Sequence, residues 1–267
     1  MEIWQNLPAG NAPSRAALAT LIGAMERLPR YQRLEIALLD RRAKAAKVPR
    51  LRRLAREVLC TVARGALYAG RATLQGPVIY LTGEGVSGFK RRLVAMRQHL
   101  EIEGQGVPFF MIGNVPDLGS EATDLPQLIA ELDAFIKAHA PDGVLAIALD
   151  TLARCMGAAD ENSARDMGRF IDRCGAIERH FKCLVAVVHH VGKNPERGGR
   201  GSNAQNGAAD VTLVVEKMET HSKVRIEEFK DGREGQEWTF RLAPYDLSAT
   251  FSDSCAPLRN MWKTQPA

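Results

Sequence analysis

Three apolar runs in this 267-residue chain end in polar residues whose types suit phosphate chemistry. VIYLTG (78–83) runs into Glu84, VLAIAL (144–149) into Asp150 and Thr151, and LVAVV (184–188) into His189 and His190. A carboxylate directly after a buried strand can hold hydrated magnesium, which takes one or two carboxylates together with phosphate oxygens; Asp150 has that position. A second acid on a neighbouring strand end, Glu84, could orient and deprotonate an attacking water. A strand-ending acid also serves to cap the helix that follows, so either acid alone leaves both uses open. The histidine on a third strand end adds weight to the chemical one.

Two other patterns carry less. GEGVSG matches G-x-G-x-x-G at Gly83, Gly85 and Gly88, a dinucleotide-binding spacing. It follows an earlier helix rather than a first strand, however, and the next strand, VPFFMIG, runs into Asn114 and Pro116 instead of a ribose-binding acid. The cysteines (Cys60, Cys155, Cys174, Cys183 and Cys255) are odd in number, widely spread and without a C-x-x-C pair. Neither a disulfide framework nor a standard zinc spacing is indicated, and reduced thiols are expected.

The elements that must position the strand-end residues read as an α/β doubly wound layout. The runs at 78–83, 107–113, 144–150 and 184–190 are too uniformly apolar for a half-exposed sheet and fit parallel strands covered on both faces. Helices over about 88–100, 125–140 and 160–180 supply the crossovers that parallel strands demand. In such sheets ligands collect at the carboxyl edge, where Glu84, Asp150 and His190 fall. Upstream, LRRLAREVLCTVARGALYAG repeats Leu51, Leu54, Val58 and Val62 at helical steps and ends in Gly65 and Gly70, which predicts a helix docked on the sheet. AALATLIGAM and YQRLEIALL also read as helical, broken by Pro29 and Pro49. After Asp210, VTLVVEK, SKVRIEEFK and EWTFRLAPY alternate apolar with polar across turn signals and read as an antiparallel edge.

A net charge of +5 suits a polyanionic partner without proving one. Its distribution is more telling: Arg41, Arg42, Lys44, Lys47, Arg50, Arg52, Arg53 and Arg56 follow one another with no acid between Arg41 and Arg56. Such a block could neutralise nucleic-acid phosphates or form a solvated helix face. No apolar run approaches the roughly 18 residues that span a bilayer, and the N-terminus lacks the features of a signal peptide, so a cytoplasmic protein without membrane contact is expected.

Taken in order, VIYLTGEG with FKRRL, ALDTLARCMGAADENSARDMGRFID, VVHHVGKN, GGRGSNAQNGAADVTLVVEK and FKDG resemble RepA-family hexameric helicases and their phage and plasmid relatives, over about residues 54–243. The resemblance implies a RecA-like P-loop NTPase core that uses ATP and Mg2+ and acts on single-stranded DNA as a homo-oligomeric ring. It implies Glu84 as the catalytic glutamate, Asp150 as the Walker B aspartate near magnesium with Thr151 beside it, and His190 as a sensor of the γ-phosphate. Arg200 would be an arginine finger reaching the neighbouring subunit's nucleotide, and Lys230 would face a subunit interface. The implied domains are a helical segment over 1–53, a core over 54–246 and a tail over 247–267, the first also distantly resembling the linker of primase-helicase polypeptides.

One part of the pattern is missing. Counting back from Gly65, the G-x-x-x-x-G-K-[ST] loop should fall on about 45–52, where the sequence reads AAKVPRLR, without a glycine. Glycines let successive backbone N–H groups point at phosphates, the lysine neutralises them and the hydroxyl binds magnesium. Where relatives resemble K-x-K-D-G, this chain also places Glu228 before Phe229 and Lys230. The expectation is an ATPase core without its first strand and phosphate loop, impaired in ATP binding and turnover, with a non-catalytic pseudo-ATPase as the alternative.

Overall fold

All four apolar runs become parallel strands in a computed structural model of the chain, which describes residues 37–39, 49–68, 72–83, 96, 106–189, 208–219 and 221–240. In chain order the elements are β1 (Ala37–Leu39), α1 (Pro49–Arg64), β2 (Val78–Thr82), β3 (Phe109–Ile112), α2 (Leu125–His139), β4 (Ala146–Asp150), α3 (Leu152–Cys155), α4 (Ala164–Phe181), β5 (Leu184–His189), β6 (Val211–Lys217), β7 (Ser222–Phe229) and β8 (Glu237–Phe240). They form one 8-stranded sheet in the order β3-β2-β4-β5-β1-β6-β7-β8. Strands from β3 to β6 run parallel, and β7 and β8 add the antiparallel edge. The chain therefore has the α/β, RecA-like architecture expected of it.

Alternation of side chains across the strands divides the core into two layers. On one face Val78, Tyr80, Ala146, Ala148, Ala186 and Val188 meet Leu54, Ala55, Val58, Leu59 and Ala63 of α1. Three small alanines on adjoining strands let that helix lie close to the sheet. On the other face Ile79, Leu81, Ile147 and Leu149 meet Leu128, Leu132 and Phe135 of α2 and Met167, Phe170 and Ile177 of α4. Helix α1 starts on Pro49 and is followed by Gly65 at φ 64°, a left-handed stop open to glycine at no steric cost. Helix α4 is capped by Ser163, whose Oγ accepts from the Asp166 N–H at 3.4 Å, and Arg173 of α4 donates to the Leu118 carbonyl at 2.9 Å to hold the loop after β3.

The main departure from the sequence reading lies at the start of the chain. YQRLEIALL reads as helix, yet Ala37–Leu39 is a strand paired in parallel with both β5 and β6. A first strand thus stands in the central slot where the sequence reading leaves none. Three apolar residues are too few for periodicity to separate helix from buried strand, and pairing on two sides decides the outcome. The helix read over 88–100 and the tail over 247–267 fall outside the described residues.

Candidate functional site

Parallel pairing brings the carboxyl ends of four strands to one edge. Thr82 of β2 pairs with Asp150 of β4, Asp150 with Val188 of β5, and His189 of β5 with Leu39 of β1. In sequence, β1 ends at Leu39 and α1 begins at Pro49, and the first turn of that helix reaches Asp150 through Arg52. A phosphate loop belongs between such a strand and helix, but residues 40–48 read DRRAKAAKV in sequence.

Asp150 is the centre of the edge. Its side chain is 1% exposed. Tyr80, buried in the middle of β2, donates its hydroxyl to Asp150 Oδ2 at 2.8 Å, and Thr82 Oγ1 stands 3.5 Å from the same oxygen. Arg52 Nε, from the first turn of α1, lies 2.7 Å from Oδ1. The guanidinium acts on the carboxylate first by charge and then by hydrogen bonding. Arg56, one turn further on and 7% exposed, donates its Nε to the Arg52 carbonyl at 2.8 Å and adds a second buried positive charge.

Burial sets the protonation balance. Removal from water pushes the Asp150 carboxyl above its ordinary range, against the opposing pull of Arg52, the Tyr80 hydroxyl and Arg56. The same burial, reinforced by the negative Asp150, drives the Tyr80 phenol well above its usual value, so it stays a donor. Thr151, joined to Asp150 by a cis peptide bond, is 1% exposed, and its Oγ1 has no hydrogen-bond partner among the described residues.

The other predicted residues sort unevenly. Glu84, His190 and Arg200 lie outside the described residues. His189, on the opposite face from Asp150, has Nε2 3.7 Å from Glu161 Oε2, and the histidine holds that carboxyl below its ordinary value. Lys230 donates Nζ to the Ala208 carbonyl at 3.1 Å and lies 3.3 Å from Asp210 Oδ1, fastening the end of β7 to the entrance of β6 within the chain. Sequence reasoning missed Tyr80 and Arg52. A tyrosine in an otherwise aliphatic buried strand needs a hydroxyl partner, a signal available in VIYLTG. Arg52 shares a helix face with Ala55, Leu59 and Ala63, and that shared face could have pointed it inward.

Magnesium is poorly matched to the described residues. Asp150 has Arg52 on one oxygen and Tyr80 on the other. Burial of Cys183 pushes its thiol up to about 12, away from the thiolate that zinc would need.

Comparison with family models matches residues 53–196, more than half of the chain, to the AAA domain. The chain belongs to the AAA domain family. The matched stretch of this AAA protein contains Glu84, Asp150, Thr151 and His190 and stops short of Arg200 and Lys230. It begins one residue after Arg52. Among solved structures, the AAA chain is similar to the crystal structure of the RadB recombinase, with a TM-score of 0.50 and 13% identity over 85% of this chain and 93% of that one. At that identity the likeness is one of fold. No curated protein sequence matches the chain, and no helix among the described residues is long and apolar enough to cross a membrane.

Proposed function

We propose that the chain is a RepA-like helicase module that acts on single-stranded DNA as an oligomeric ring, in plasmid or phage replication, with ATP binding and turnover impaired. The ordered motifs from VIYLTGEG to FKDG support the helicase kinship, and the AAA membership and RecA-like sheet agree with it. Besides Arg52 and Arg56, which are turned to Asp150, the basic stretch holds Arg41, Arg42, Lys44, Lys47, Arg50 and Arg53, which offer the phosphates of a strand several countercharges. The impairment rests on one observation: the Walker B position, Asp150, is contacted by Arg52, from a helix preceded in sequence by a stretch, 40–48, that holds no glycine. Without glycine, the left-handed turns of a phosphate nest carry a steric cost.

That same ion pair favours a second reading, a non-catalytic pseudo-ATPase that binds DNA or a helicase partner. Filter binding with single-stranded DNA, sizing of the purified chain, and phosphate release in Mg-ATP test the two together. DNA binding by an oligomer with little or no release is expected. A chain that stays monomeric and binds no DNA overturns the helicase kinship, and hydrolysis that disappears in Glu84→Gln excludes the pseudo-ATPase.

A further inference from the structure

We propose that Arg52 takes the place of the divalent cation at Asp150, so that the chain's own side chain closes its nucleotide site to magnesium. The inference deepens the nucleotide half of the proposed function and owes nothing to the DNA half.

Location comes first. Arg52 is on the first turn of the helix that follows β1. In a G-x-x-x-x-G-K-[ST] loop the magnesium-binding hydroxyl stands at the start of that helix. Here the corresponding turn contributes a guanidinium, and it reaches the strand-end carboxylate across the sheet edge, 2.7 Å from Asp150 Oδ1.

Occupancy of the carboxylate comes next. Magnesium demands a near-octahedral set of oxygens at about 2.0–2.1 Å and gives up its waters reluctantly. To meet it, Asp150 must turn at least one oxygen toward the ion or toward one of its waters. Oδ1 faces Arg52, Oδ2 accepts from Tyr80 at 2.8 Å with Thr82 beyond at 3.5 Å, and the side chain is 1% exposed. Both oxygens are thus engaged by groups of the chain itself.

Charge completes the case. The guanidinium brings a full positive charge to the carboxylate that a dication would otherwise meet. Arg56, buried in the next turn and hydrogen-bonded to the Arg52 carbonyl, places a second positive charge beside the first. A dication would have to enter against both, and at short range within a protein each such repulsion is costly.

Titration of the full chain with Mn2+, read by the loss of the free-ion electron paramagnetic resonance signal, tests this. The wild type is expected to take up no Mn2+ that depends on Asp150. Arg52→Ala and Arg52→Ser, checked for fold by circular dichroism, are expected to gain one Mn2+ that Mg2+ displaces and that Asp150→Asn removes. Arg52→Lys, which keeps the charge, is expected to stay closed. Wild-type Mn2+ binding that Asp150→Asn abolishes overturns the proposal whatever the variants do, and so does a folded Arg52→Ala or Arg52→Ser chain that binds none. Filter binding to DNA reads the helicase kinship separately, so either half can fail alone.

Discussion

Arg52 Nε stands 2.7 Å from Asp150 Oδ1, joining the first turn of α1 to the end of β4 through an ion pair whose two side chains are 11% and 1% exposed. Breaking a buried pair by removing one partner leaves the other charge uncompensated and costs about 3–5 kcal/mol. Arg52→Ala is therefore expected to lose stability of that order in urea melts. Replacing the pair together, Arg52→Met with Asp150→Asn, is expected to lose much less, because neither charge is then left alone. A double variant as unstable as the single one would show that an unpaired charge is not the source of the loss.

Tyr80 holds the other oxygen. Tyr80→Phe keeps the ring in the core but strips a donor from a buried carboxylate, and bonds to charged groups are worth about 1.5–3 kcal/mol. Thr82→Val, whose hydroxyl stands 3.5 Å away, is expected to cost less. Equal losses would mean that the two hydroxyls support the carboxylate equally.

Asp150 and Glu161 should respond to pH in opposite directions. Burial raises the Asp150 carboxyl in the folded chain, so the fold binds the proton more tightly than the unfolded chain does. By linkage this contribution favours folding at low pH and is lost as pH rises from the unfolded carboxylate range, about 4, through the folded value. Glu161 is lowered by its contact with His189, so its contribution is present above the unfolded value and is lost as pH falls through the folded one. Relative to Asp150→Asn, wild type should gain stability as pH drops from neutral toward about 4; relative to Glu161→Gln it should lose stability as pH drops further, from about 4 through the lower folded value. Parallel slopes in the two comparisons would refute the assignment.

Lys230 is half-exposed and pairs with Asp210 inside the chain. Exposed pairs contribute about 0–1 kcal/mol, so Lys230→Ala should leave the melting behaviour close to wild type. If the residue also serves a subunit interface, the same variant should shift the oligomer toward smaller species in sizing experiments. An unshifted oligomer would confine Lys230 to its contact with β6.

Much of this was legible in the sequence, for identifiable reasons. Long apolar runs with helices between them fix a parallel sheet, and a strand-ending acid such as Asp150 falls at the ligand edge of any such sheet. The first strand was not legible, because Ala37, Leu38 and Leu39 sit in a stretch whose apolar spacing also fits a helix, and only pairing with β5 and β6 selects the strand. Arg52 was hidden differently. In a run of eight basic residues one more arginine looks like a solvated cation, and its partner lies 98 positions away in sequence, so only the fold brings them together.

The most direct test of a nucleotide site closed by its own arginine is a titration of the wild-type chain with a fluorescent ATP analogue, once in magnesium and once in EDTA. The account predicts weak binding that is the same in both. Tight binding that requires magnesium and is lost in Asp150→Asn would contradict it.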